Sequence, residues 1–482
     1  MSNEKRGNWA SSFGFLMAAI GSAVGLGNIW GFPYKMGANG GFAFLVVYLL
    51  LAVFVGFILV LTELSVGRKT GKGVVGAYYE LSKKFKWVGW LAIIAPTLIL
   101  TFYTVLGGYC LQYMALNLTG IGFDVMDKLN MTGGDIFGNM LTNPLGCIIF
   151  TLLFIVVCWI IVKGGISGGI EKFNVVAMPA LFFMLVIIII RSLTLPGAEE
   201  GLKFMFAPNF EPLRENFVRV LGVAGGQLFF SLSLAMGITV TYGSYLSKQE
   251  NLVKNSAIIV IADTAVAVMA GLAVLPAAIA LGGADAALSG PKLLFITLQD
   301  VFATMGAWGP IFGVVFYTLV FIAAITSAIA LLEVLVTFFM DHAHSKGREG
   351  KRKKYTIGVC IVIALGAILV AADGLGSNGL WVPGQTIDPV TGEVIMSTWN
   401  SCWLEFMDAW SEGIAMPLGA LLMSIMVGWE IKPKAIFEEI EQEGVKCKFK
   451  GFYKFCIKFV IPLAMLLVLI GQLDYFFDLG IF

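Results

Sequence analysis

The sequence predicts an all-α protein that crosses a membrane many times, and three observations carry that expectation. Hydrophobic residues make up 58% of the chain and charged residues only 13%, with a mean hydropathy of +0.87. An average soluble domain has roughly 25% charged residues, so water is not the main solvent. The apolar residues fall in runs far longer than barrel strands need. About 20 apolar residues in helical form cross a hydrocarbon core, and only helices or closed barrels satisfy their own backbone there. Finally, the basic residues gather in alternate linkers between runs, as membrane topology requires.

Eleven runs are expected. They lie near 11–36, 41–67, 87–116, 146–163, 170–192, 217–245, 255–282, 306–340, 355–372, 403–428 and 455–475. The first is long, interrupted by glycine and followed at once by the second, which a cleavable signal would not show. With the N-terminus inside, the cytoplasmic segments hold 25 of the 32 Lys and Arg residues, including the run at 346–354. That asymmetry predicts a cytoplasmic N-terminus and, with eleven spans, Phe482 outside. The basic runs at 68–86 and 346–354 then orient helices, and neither they nor a net charge of +1 points to nucleic acid. No obligate protein partner is evident.

The chain reads as one membrane domain over 1–482. The polar stretches near 117–145, 193–216, 373–402 and 429–454 are too short for an independent core. Residues 373–402, rich in Gly, Asp and Thr, read as an external loop with room for a short hairpin. Seven cysteines show no paired spacing; Cys110, Cys147, Cys158 and Cys360 lie in apolar runs as small core residues. Neither a disulfide framework nor a cysteine metal site is expected. Asn117-Leu118-Thr119 matches a glycosylation sequon at a helix end.

Two runs carry flexible residues where a membrane helix should avoid them. The first contains Gly21-Ser22-Ala23-Val24-Gly25-Leu26-Gly27-Asn28 and the sixth Ser231-Leu232-Ser233-Leu234-Ala235-Met236-Gly237. Gly21 and Gly25 also fit the small-xxx-small spacing of packed helices, but packing explains neither Asn28 nor the second interruption. Two broken helices, each opening a five-helix half, fit an inverted repeat in which unwound carbonyls bind cations and half-helix N-termini attract an anion.

The segment Gly21–Gly41 resembles the signature of neurotransmitter:sodium symporters, whose bacterial members include the leucine transporter. Glu63 with Gly67-Arg68, the stretch Gln227–Ser233, and Thr326-Ser327 match further motifs in the same order. The resemblance runs from Arg6 to the end of the tenth helix and implies a five-plus-five inverted repeat. The first repeat would be about 11–192, the second about 217–428, with an extra helix at about 455–475. Members commonly have twelve helices; eleven, as here, occur in some bacterial ones.

The resemblance implies sodium-coupled import of amino acids across the inner (plasma) membrane, with two Na+ sites. One would use the carbonyl of Ala23 and the side chains of Asn28, Ser231 and Asp263, completed by the substrate carboxylate. The other would use carbonyls of Gly21, Val24 and Ala323 with the hydroxyls of Thr326 and Ser327. On the residues alone, Thr326-Ser327 fits back-bonded hydroxyls in a packed helix equally well. Monoamine carriers of the family have an aspartate at the position of Gly25, so a zwitterion here brings its own carboxylate. Backbone amides of Leu26 and Gly27 and the hydroxyl of Tyr103 would receive it. Ile99, Phe230, Ser233, Met236 and Leu331, with Ala328 at the edge, would surround the side chain, and Ala23, Ser231 and Ser327 complete the expected substrate shell. That apolar lining suits hydrophobic amino acids, aliphatic to aromatic.

Intramembrane carboxylates are functional by default. By resemblance, Glu63 braces the broken helices from behind, and Glu333 gives similar polar support. Arg6 and Asp341 with Trp9 and Tyr245 match the cytoplasmic gate, and Gly169 and Pro179 a spacing at which the fifth helix unwinds. Two departures stand out. Asp408 matches the aspartate of the leucine transporter's external gate, but its arginine position is Gly31, so Lys35, one turn on, is expected to reach Asp408 instead. Asp263 stands where many members have asparagine, so a built-in carboxylate would replace the chloride of animal members and make transport chloride-independent. The same carboxylate can take a proton when sodium leaves, giving proton counter-transport. A substrate-gated channel or nutrient sensor on the same fold remains the alternative. An enzyme is not expected: His342 and His344 are the only histidines, and both lie at a loop.

Overall fold

The computed structural model describes residues 7–282, 293–388, 393–442 and 447–481. Among these, nine helices are long and apolar enough to cross a membrane, and a bent pair makes ten when counted as one span. The pair is α1 (Ser12–Ala23) and α2 (Gly27–Ala38), meeting at 47°. The continuous helices are α3 (Phe42–Thr70), α4 (Val88–Leu118), α5 (Pro144–Val162) and α6 (Ile166–Leu193), then α9 (Leu252–Ala280), α10 (Gly306–Ser345), α11 (Arg352–Asp373), α12 (Trp403–Glu430) and α13 (Lys450–Phe477). Between α6 and α9 stand α7 (Glu211–Ser231) and α8 (Ile238–Gly243). The run expected at 217–245 therefore starts six residues earlier and is two helices. Asn216 kinks α7 near its start, at φ −151° and ψ 78°.

Local chemistry sets the ends of these helices. Ser11 caps α1 by accepting the amide of Gly14. Asn143 caps α5 just before a proline at the first helical position, where a missing N–H costs nothing. Gly71 closes α3 in a left-handed conformation. The loop 373–402 contains a minimal hairpin, with β1 (Thr386–Ile387) antiparallel to β2 (Val394–Ile395).

Burial separates the centre from the rim. The most apolar window of α10 is 89% buried, whereas those of α5 and α6 are 33% buried. A helix apolar all round belongs in a core or in lipid; α10 does the first and α5 the second. The central helix α10 packs on α4, and α1 lies against α6, α9 and α10. On the other side, α7 packs on α3 and α13, and α8 on the C-terminal half of α3. Both chain breaks thus face the centre. All seven cysteines are free and buried. The sequon faces inward: Asn117 is buried, and its amide donates to Tyr113 O (2.9 Å) and Gln299 Oε1 (3.2 Å).

Candidate functional site

The site forms where α1 gives way to α2 and α7 to α8. At the first break the chain leaves the helix at Val24 and Gly25. A Cβ on Gly25 would lie 2.2 Å from Ser327 Oγ and 2.7 Å from Tyr103 OH, and one on Gly21 would lie 2.1 Å from Asn174 Oδ1. Only glycine lets the backbone come so close to α4, α6 and α10. The second break, Leu232–Gly237, is made differently. Ser233 (φ +53°), Ala235 (+59°) and Gly237 (+74°) are left-handed, which costs non-glycine residues on the order of 1–3 kcal/mol each. Glu63 on α3 offsets that strain. Its buried carboxylate accepts the amide of Ala235 at 2.8 Å and the hydroxyl of Thr239. Among the described residues, the hydrogen bonds of Glu63, expected to brace both broken helices, run to the second break and not to the first.

Around Asn28 the oxygens converge. Asn28 Oδ1 accepts the Gly25 amide at 3.1 Å, and Nδ2 donates to Asp263 Oδ1 at 2.7 Å and Ser231 Oγ at 2.9 Å. The Ser231 hydroxyl also lies 2.9 Å from Asp263 Oδ2. All three side chains are fully buried. Tyr48 adds its hydroxyl to Asp263 Oδ2 at 3.4 Å; it reads as ordinary apolar core in the sequence, and nothing there marks it. Hydrogen bonds to an ionised group are worth about 1.5–3 kcal/mol, so the cluster ties α2, α3, α7 and α9 together.

The second oxygen set lies on α10. Thr326 Oγ1 is 3.4 Å from Val24 O and 2.9 Å from Ala323 O, and Ser327 Oγ is 3.5 Å from Gly21 O and 3.3 Å from Ser22 O. The carbonyls expected to act with these two hydroxyls are thus gathered beside them. Hydroxyl and carbonyl oxygens, hard and neutral, suit a hard monovalent cation.

Between the two sets is a cavity of about 20 Å³, lined by Ala23, Gly27, Ile99, Tyr103, Phe230, Ser233, Met236, Ser327 and Leu331, together with Ser22 and Gly25. Of the expected substrate shell, Leu26, Ser231 and Ala328 do not line it. The Leu26 amide donates to Tyr103 OH at 3.0 Å, and Ser231 is turned toward Asp263. This volume holds about one water. Phe230 and Tyr103, with ring centroids 6.4 Å apart, divide it from a vestibule of about 1000 Å³ whose lining includes Leu26, Lys35, Gln227, Glu405, Asp408 and Glu412.

At the vestibule the expected pairing of Lys35 is corrected. Its ammonium bonds Glu412 Oε1 at 2.7 Å, while Asp408, one turn earlier, has a buried Oδ1 with no hydrogen-bond partner among the described residues. Glu412 sits four residues after Asp408, on the same helical face, and that spacing was the available signal. A side chain at position 31 would first meet the Gln227 amide, 2.9 Å from where its Cβ would stand, so a larger residue there requires that amide to move.

The opposite end is closed in several layers. Trp9 Nε1 donates to Tyr242 O at 3.1 Å, and Asp341 Oδ2 accepts the Gly73 amide at 2.6 Å. Tyr245 OH lies 2.8 Å from Thr337 Oγ1 and 3.1 Å from Glu333 Oε1. Glu333 also pairs with Arg352, which looked in the sequence like one more basic residue of an orienting run. Arg6, expected at this gate, lies outside the described residues. Gly169 falls in a π-turn over Ile166–Glu171, and Pro179 inside the helix that follows.

Known proteins resemble this chain over nearly its whole length. The sequence model of the sodium:neurotransmitter symporter family matches residues 6–124 and 136–380. A sodium-dependent transporter of Bacillus subtilis is 33% identical, covering 98% of this chain and 100% of that one. A sodium- and chloride-dependent glycine transporter 1 of Xenopus laevis is 25% identical over 97% of this chain and 78% of its own. Among solved structures, MhsT in complex with L-phenylalanine matches with a TM-score of 0.83 at 34% identity, covering 97% of this chain and 100% of that one.

Proposed function

Because the chain belongs to the sodium:neurotransmitter symporter family, whose members are transporters and not enzymes, we propose that it imports hydrophobic amino acids together with two sodium ions, by alternating access and without chloride. The observation that carries this reading is the small apolar cavity held between two oxygen sets, with Ser327 lining the cavity and reaching the carbonyls of one set. A zwitterion bound beside Gly25 would present its carboxylate to the Leu26 and Gly27 amides and Tyr103, close to the Asn28 cluster. Cation and substrate would then complete each other's coordination. Ile99, Phe230, Met236 and Leu331, with Ser233 among them, give the side chain a mostly apolar surface, and the L-phenylalanine bound to MhsT fits the same chemistry. Admitting a substrate requires Phe230 to swing toward the vestibule.

The finer architecture belongs to the same proposal. Counting α7 with α8 as one broken span gives eleven, α1 through α6 and α7 through α12 form the two inverted halves, and α13 stands outside the repeat. The N-terminus faces the cytoplasm, the vestibule faces outside, and one membrane domain over 1–482 does the work. Asp263 supplies beside the first cation the negative charge that chloride provides elsewhere.

Uptake of labelled phenylalanine and leucine into vesicles tests the reading. Accumulation against a gradient should need inward sodium and persist when chloride is replaced by gluconate. Equilibration without accumulation would favour a channel, and collapse in gluconate would remove the role given to Asp263.

A further inference from the structure

The ends of α4, α12 and α13 meet at one rim of the helix bundle. Ser82 fixes the turn before α4: its hydroxyl accepts the amides of Lys84 at 3.2 Å and Phe85 at 2.9 Å. The same hydroxyl donates at 2.7 Å to Oε1 of Glu430, the last residue of α12. Beside Glu430 in the chain, Trp429 carries the ammonium of Lys458 from α13, 6.0 Å from its ring centroid. The glycine at 428 makes room for that lysine, since a Cβ there would lie 3.3 Å from Lys458 Cγ. Phe459 holds Trp429 edge-on, with ring centroids 6.2 Å apart.

This rim has both charge and apolar surface to spare. Lys83, Lys84 and Lys86 are exposed and Lys458 is half-buried, and among the described residues no carboxylate pairs with any of the four. Lys86 stands instead 5.3 Å from the ring centroid of Tyr79. The acids nearby are engaged. Glu430 turns to Ser82 and buries its second oxygen, and Glu80 pairs with Lys72 at 2.6 Å. Trp87, Trp429 and Phe459 each leave about half of their surface or more uncovered. An exposed tryptophan at the end of a membrane helix belongs at the level of the lipid headgroups. A lysine there lays its stem over apolar surface and keeps its charge in water.

We propose that this rim binds an anionic phospholipid, with the phosphate among Lys83, Lys84 and Lys458 and the acyl chains along Trp87, Trp429 and Phe459. Opposite charge selects the headgroup, because a zwitterionic one offers the lysines no net charge. The exposed rings, continuous with the lipid-facing sides of the helices, select a lipid over a free phosphate. The proposal needs only that the chain crosses a membrane, and neither the substrate nor the cations assigned above.

Native mass spectrometry of the full-length protein in detergent tests it, with dioleoylphosphatidylglycerol or dioleoylphosphatidylcholine as the titrant. The first phosphatidylglycerol should bind about tenfold more tightly than the first phosphatidylcholine, and the preference should shrink as salt is raised. Lys84→Gln and Lys458→Gln should each weaken phosphatidylglycerol about fivefold and leave phosphatidylcholine unchanged, while Phe459→Ala should weaken both lipids alike. Lys128→Gln, at the far end of α4, should alter neither. Equal affinity for the two lipids, or an equal loss in Lys128→Gln, overturns the proposal. Glycerol 3-phosphate that binds as tightly as the lipid overturns it as well, by making the site one for a free phosphate.

Discussion

The two chain breaks sit side by side in the site and are built on opposite principles. At Val24–Gly25 the backbone opens because side chains are absent, and neighbours press so close that a single methyl at Gly25 would meet Ser327 and Tyr103. At Leu232–Gly237 the side chains are present, two of them on left-handed backbone, and an acceptor on another helix, Glu63, holds the strained segment. One break is made by subtraction and the other by an added bond. The first is therefore rigid toward substitution, and the second depends on one distant carboxylate.

That contrast can be broken from either side. Gly25→Ala should have the largest effect. Overpacking a tight site costs about 1–3 kcal/mol, and on the proposed reading the cost falls where the substrate carboxylate would bind, so labelled phenylalanine should bind about 100-fold more weakly. Near-normal binding would show that Ser327 and Tyr103 yield easily and that the first break is not set by close approach. Glu63→Ala comes next. It leaves the Ala235 amide and Thr239 hydroxyl without their acceptor, at about 1–3 kcal/mol for the orphaned groups. Transport should fall by about 30-fold, with faster amide exchange at 232–239 and little change at 23–28. An equal change at both breaks would mean that Glu63 holds them jointly. The smallest effect sharpens the comparison. Ala235→Gly removes a left-handed penalty of about 1 kcal/mol, so the melting temperature in sodium should rise by a few degrees; a fall would show that the strain at Ala235 is illusory.

The same contrast governs what was legible in the sequence. Subtraction leaves a mark, because three glycines and an asparagine in an apolar run are visible without any structure. An added bond between distant residues does not. Glu63 stood out as a buried charge, but its partners 172 and 176 positions away could be named only through the family. The helices were legible to within a few residues at most ends, except at α7, where polar residues before the Asn216 kink masked six helical positions. The external pair was misassigned because the helical face carries two acids, Asp408 and Glu412, and spacing alone does not choose between them. Arg352 was hidden because a charge at a helix end looks solvated until the neighbouring helix is placed on it.

The central claim is that the cavity and its two oxygen sets form one coupled site. Paired fluxes of sodium-22 and labelled phenylalanine into vesicles test it most directly, in wild type, Asn28→Ala and Thr326→Ala. In the wild type about two sodium ions should enter with each amino acid and neither label should move without the other, while either substitution, each removing a side chain from one oxygen set, should abolish both fluxes. Phenylalanine uptake that continues undiminished with choline in place of sodium, or that proceeds with no sodium flux, would contradict it.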